Sequence, residues 1–134
     1  MYLLDTNTVS DYLRGNKGIL ANLKKHHHSQ VAIGSITKYE LFYRLLKNPQ
    51  AHQKYGEQVW LLFNQAQELV FDSESALIAA EIKDYLIQKG DSIGDCDTMI
   101  AAIGLQHDLV VVTNNIKYFQ RVKDLVVINW RSQS

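Results

Sequence analysis

Apolar residues along this chain fall into two alternating kinds of segment. Five short runs are continuous: Tyr2 to Leu4, Gln30 to Ile33, Glu68 to Phe71, Leu109 to Val112 and Leu125 to Ile128. They have the length and the β-branched content of strands, and the Val-rich pair (LVVV and LVVI) reads as strands covered on both faces. Between the runs, apolar residues recur at three- and four-residue intervals. Ser35 to Lys47 carries Ile36, Tyr39, Leu41, Phe42, Leu45 and Leu46; His52 to Gln67 carries Tyr55, Val59, Leu62, Phe63 and Ala66. Ser75 to Lys89 repeats the pattern and is stopped by Gly90, and a last helix runs from about Asp95 to His107. Strands alternating with helices predict right-handed crossovers. The expected fold is therefore α/β, a three-layer α/β/α sandwich around a mostly parallel sheet of four to five strands. Ligands in such sheets gather at the carboxyl ends of strands.

Against that pattern one residue stands out. The chain opens MYLLDTNTVS, so an apolar run leads straight into Asp5, where loss of water penalises charge. Asp5 falls at the end of the first strand, on the edge where this architecture builds sites. A structural use competes: Asp5 or Thr6 is a suitable N-cap for a following helix.

Three further acids have the same double character. Glu40, in SITKYELF, either closes a capping box with Thr37 or, if Ser35 is the cap, lies past the first turn among apolar residues, where an acid needs a partner. Asp95 and Asp97, in SIGDCDTMIAA, either complement a helix dipole, worth roughly 0.3–1 kcal/mol each, or face the same edge as Asp5. If Asp5, Glu40 and Asp97 converge, mutual repulsion decides what accompanies them. Two unit charges about 4 Å apart repel by roughly 4 kcal/mol at an effective dielectric of about 20. Either pKa values rise or a hard divalent cation binds. Oxygen ligands with open positions suit Mg²⁺ or Mn²⁺, which also take phosphate oxygens, and the implied chemistry is metal-assisted phosphodiester hydrolysis by an activated water. In VVVTNNIKYF, Thr113 and Asn115 add neutral polar groups at another strand end, though an ordinary turn also accounts for them.

Composition narrows the setting. With 134 residues, 46% of them hydrophobic, the chain is expected to form a single domain over 1–134. No apolar stretch reaches the roughly 18 residues of a membrane span, and no basic segment precedes an apolar one at the start, so the cytoplasm is the expected location. Cys96 is the single cysteine and is read as packing. Fourteen Lys and Arg balance fourteen Asp and Glu, unlike a dedicated nucleic-acid binder, yet local cations at the site edge (Arg14, Lys38, Arg44, Lys117, Arg121) could meet phosphates. His26, His27 and His28 point in different directions on a helix and are read as a solvated helix end.

Together LLDTN at 3–7, SITKYEL at 35–41, IGDCDTMIAA at 93–102 and VVVTNNIKYF at 110–119 resemble the PIN-domain family, and within it the VapC-type toxins of toxin–antitoxin pairs. The resemblance implies a Mg²⁺- or Mn²⁺-dependent endoribonuclease, a homodimer neutralised by an antitoxin, acting on structured RNA such as transfer RNA. It places the family's acids on Asp5, Glu40 and Asp97, with Thr6, Asn7, Thr113 and Asn115 in support. Asn115 stands where many relatives have an aspartate, and Asp95 where they often have a proline. Asp95 is accordingly read as the helix N-cap, with an added metal-side carboxylate as the alternative. Two other functions compete. GDSIGD at 90–95 looks like the acidic loop of haloacid-dehalogenase-type phosphatases, but the acid that family needs two residues after its nucleophile is here Asn7. The non-enzyme reading is a dimerising binding module whose acids all cap helices.

Overall fold

The structure, a computed structural model, describes residues 1–132. Its centre is a five-stranded sheet of β1 (Tyr2–Leu4), β2 (Val31–Gly34), β3 (Gln67–Leu69), β4 (Val110–Val112) and β5 (Val126–Ile128), in the order β3-β2-β1-β4-β5. All the pairings are parallel. The helices are α1 (Thr6–Leu13), α2 (Lys17–Lys25), α3 (Ser35–Lys47), α4 (Pro49–Gln65), α5 (Ser73–Lys89), α6 (Asp95–Gln106) and α7 (Ile116–Phe119).

Side-chain alternation along the strands divides the interior in two. Leu3, Ala32 and Val111 face α5, α6 and Phe119 of α7. Leu4, Ile33 and Val112 face α1, α2, α3 and α4 through Val9, Ile19, Leu41 and Val59. Burying one such Leu, Ile or Val side chain is worth about 1.5–3 kcal/mol, and both faces contribute. This is the three-layer sandwich expected from the sequence. Close seating of α6 depends on Gly104, where an added Cβ would lie 2.8 Å from Val111 Cγ2.

Three readings need correction. The second Val-rich run is not covered on both faces: β5 is an edge strand, and Val126 is 60% exposed. Composition alone cannot separate a central strand from an edge. The long helix placed at His52 begins instead at Pro49, because Asn48 accepts from the Gln50 and Ala51 amides and Pro49 takes the first turn. His26 is not simply solvated. Its ring stacks on Trp130 (centroids 5.2 Å apart, 16° between planes) and meets Tyr2 at 4.7 Å.

That last contact belongs to a strap formed by the segment after β5. Trp130 is buried against Tyr2 and His26, Arg131 Nε lies 3.6 Å from Asp11 Oδ2 of α1, and the Ser132 amide donates to Asn16 Oδ1 at 3.1 Å. The strap crosses α2 where Gly18 leaves room: a Cβ there would stand 2.5 Å from both Ser132 N and Trp130 O. Gly18→Ala is expected to destabilise the fold by about 1–3 kcal/mol through overpacking. Urea denaturation checks this, and an unchanged midpoint would mean that the strap does not hold α2.

Candidate functional site

The strand order reverses beside β1. The chain leaves β1 through α1 on one face of the sheet, and leaves β4, its neighbour, through α7 on the other. Adjacent strands whose continuations part in this way open a crevice at their carboxyl ends. Leu4 is level with Val112 and with Ile33, so Asp5, Thr113 and Gly34 come next on one edge.

Asp5 is 2% exposed. Its amide donates to Val112 O at 3.0 Å, extending the β1–β4 ladder, and its Oδ1 accepts from the Thr8 amide at 2.8 Å. Asp5 is therefore the N-cap of α1, as the structural reading had it, while its carboxylate remains at the crevice. Burial raises its pKa; the Thr113 hydroxyl and the Thr8 amide pull it back, and Asp11 adds to the rise.

Glu40 is not a cap. The N-cap of α3 is Gly34, without a side-chain bond. Ser35 Oγ accepts instead from the Phe71 amide at 2.9 Å, and Glu40 lies beyond the first turn. There Thr6 Oγ1 donates to Glu40 Oε1 at 2.6 Å and stands 3.1 Å from Thr37 Oγ1. Thr6 thus ties the acid of α3 to the residue after Asp5.

Asp97, in the first turn of α6, is the third member. Its pKa is pushed up from 3.8 to about 6, first by burial, then by the charges of Asp5 and Glu40. Asp5, Glu40 and Asp97, separate in sequence, thus lie within range of one another's charge. Cys96 faces the same acids, and burial followed by Glu40 raises its thiol pKa, which disfavours the thiolate that a nucleophile needs.

The remaining expected residues divide. Thr113, buried, joins the site and also accepts from the Asn115 amide at 2.9 Å. Asn115 takes part through that backbone bond, and Asn7 lies exposed on α1. Asp95 is not the cap of α6, a place taken by Gly94 at φ 90°. Its carboxylate pairs with Lys83 of α5 at 3.0 Å.

Asp11 was missed. It is buried on α1 and takes Asn114 Nδ2 at 3.3 Å and the guanidinium of Arg131. Both partners lie more than a hundred residues away in sequence, so no local spacing could have marked it.

The fit to a metal follows from the donors. Among the described residues no three His, Cys, Asp or Glu side chains are spaced to enclose an ion by themselves. Mg²⁺ seldom requires that, since it binds through one or two carboxylates and keeps its waters. The oxygen-only set of Asp5 and Asp97, with Glu40 anchored by Thr6, fits such an ion.

The model of the PIN domain matches residues 2–125. The chain belongs to the PIN-domain family. It is 30% identical to the tRNA(fMet)-specific endonuclease VapC of Salmonella typhimurium, over 96% of this chain and 97% of that protein. It is 29% identical to ribonuclease VapC2 of Rickettsia felis, over 97% and 98% of the two chains. Among solved PIN-domain structures, DNA-bound VapBC from Salmonella typhimurium superposes with a TM-score of 0.88 at 29% identity, covering 96% of this chain and 97% of that one. VapBC2 from Rickettsia felis, bound to a promoter DNA fragment, gives 0.85 at 29% identity, covering 96% and 98%.

The raised Asp97 pKa has a consequence for stability. Folded Asp97 binds its proton more tightly than the unfolded chain does. The stability this lends is fully present below about pH 4 and is lost as pH rises through about 6. Asp97→Asn is expected to flatten that dependence and to stabilise the metal-free protein at neutral pH by about 1 kcal/mol, after allowance for partial exposure. Urea unfolding across pH measures this, and a wild-type slope retained in Asp97→Asn would contradict it.

Proposed function

We propose that this chain, as a single domain over 1–134, is a Mg²⁺- or Mn²⁺-dependent endoribonuclease. It is read as the toxin of a toxin–antitoxin pair, acting in the cytoplasm as a homodimer. The observation that carries the reading is the gathering of Asp5, Glu40 and Asp97 at the β1–β4 crevice, with Asp97 raised to about 6 first by burial and then by the charges of the other two. Relatives named as ribonucleases, and as a tRNA(fMet)-specific endonuclease, support RNA as substrate and transfer RNA as the class to try first. Structural relatives described as VapBC, at 29% identity, support a small antitoxin protein as partner.

Asp5 and Asp97 would hold the ion, and Glu40 completes its surroundings from a position fixed by Thr6. A bound Mg²⁺ or Mn²⁺ supplies charge neutralisation at the phosphoryl group and a lowered pKa for water. The side chains leave the nucleophile to water: the Thr6 and Thr8 hydroxyls are spent on Glu40 and on Val112 O, and the raised pKa of the Cys96 thiol disfavours its thiolate. Thr113 orients Asp5. The phosphatase reading finds no support, since the position its second acid would occupy is the exposed Asn7. A module whose acids all cap helices fits Asp5 alone, because Glu40 and Asp97 cap nothing.

Asp5→Asn is expected to lower cleavage of bulk transfer RNA by at least about a thousandfold, with thermal unfolding at or above the wild-type temperature. EDTA should abolish wild-type cleavage and Mn²⁺ restore it. A fully active Asp5→Asn protein would remove the assignment.

A further inference from the structure

A strand of RNA approaching three carboxylates needs positive charge close by, and the chain's net charge of zero supplies no overall field. The cations expected near the site edge differ in how far they are already spent. Lys38 is paired with Glu68 at 3.1 Å, and Arg121 donates to the carbonyls of Asp91 and Ser92 at 3.3 and 3.2 Å. Lys117 lies on the exposed side of α7. Arg44, like Lys117, has no carboxylate within ion-pair distance among the described residues, but unlike Lys117 it is held in place, by a hydrogen bond to a neutral group, Ser10 Oγ, at 3.1 Å.

That bond fixes where the guanidinium sits. Thr6 and Ser10 are four residues apart on α1, and Glu40 and Arg44 are four apart on α3. The Ser10–Arg44 contact therefore repeats the Thr6–Glu40 contact one helical turn farther out, about 5.4 Å along both helices. Arg44 also shares with Arg14 a recess of about 110 Å³ between α1, α3 and α4, floored by Leu13, Leu41 and Leu45. Arg14 has only a long approach, 3.7 Å, to Asp11, a carboxylate that Arg131 also serves. Two guanidiniums thus line one recess, Arg44 one helical turn beyond Glu40 on α3, with most of their donors unspent.

We propose that Arg44, with Arg14 beside it, is the subsite that holds a substrate phosphate adjacent to the one being cut. The inference rests on the nuclease reading and names the residues that position its substrate. A guanidinium fork matches the phosphate oxygens and stays charged at any working pH. Ser10 anchors the fork to α1, so a phosphate bound there is held in register with the acids on the same two helices.

The test uses bulk transfer RNA. Binding is followed against salt in the cleavage-deficient Asp5→Asn protein, with and without Arg44→Ala, and KM and kcat are measured with Asp5 intact. Arg44→Ala is expected to make the log–log salt dependence shallower by about 1. It should raise KM about tenfold, with kcat changed by less than about twofold. Arg44→Lys, which keeps the charge, should restore the salt slope. Ser10→Ala, which removes only the helix-to-helix bond, should leave the slope as it was. A wild-type slope and KM in Arg44→Ala, or the same loss in Ser10→Ala, would overturn the inference. So would an Arg44→Ala protein that loses affinity only for oligoglutamate, the mark of an acidic protein segment. If those results accompany Asp5-dependent RNA cleavage, the inference falls alone; folded wild-type protein that neither binds nor cuts RNA removes the nuclease reading and the subsite together.

Discussion

A carboxylate buried at the end of the central strand is the constraint around which this molecule is arranged. Asp5 has given up its water at a point where the backbone cannot move aside, since its own amide continues the β1–β4 ladder. Such a group is tolerated only if its lone pairs are met. One oxygen is met by the Thr8 amide and so starts α1; the Thr113 hydroxyl, at the end of β4, supplies another bond. A sheet edge, a helix start and a neighbouring strand end are thus locked by one side chain. Capping and site-building are not rival accounts of Asp5, because the cap holds the carboxylate in place.

From there the arrangement spreads outward by hydrogen bonds and charge. Thr6, the first residue of α1, reaches Glu40 on α3, and the charges of Asp5 and Glu40 add to the rise that burial gives Asp97 on α6. The polar links that hold α1 and α3 together are therefore the links that bring the acids together. The C-terminal strap acts on the same helix from the far side, through Arg131 and Asp11. Concentrated negative charge at one edge costs the metal-free protein stability, the usual expense of a preorganised site, and the apolar layers on both faces of the sheet offset it.

Much of this could be read in the chain because the deciding signals are local. Strand β1, helix α3 and the stop at Gly90 follow from apolar spacing and one left-handed glycine. Asp5 was visible because an acid ended an apolar run. What could not be read depends on partners distant in sequence. Asp11 is defined by Asn114 and Arg131, and His26 by Trp130. Asp95 looked like a cap from its place in the first turn, but the cap position falls on Gly94, and the Asp95 carboxylate pairs with Lys83. The edge position of β5 was hidden for the same reason: Val126 and Val111 look alike until neighbours are assigned.

The central claim is that Asp5, Glu40 and Asp97 answer to one divalent ion. Titration of Mg²⁺ into the protein, followed by the carboxyl ¹³C resonances of its Asp and Glu side chains, tests it most directly. The account predicts that these three resonances shift together along one saturating isotherm, while those of Asp11 and Asp95 stay in place. Three independent isotherms, or no shift at Mg²⁺ concentrations that saturate ordinary phosphoryl-transfer sites, would contradict it.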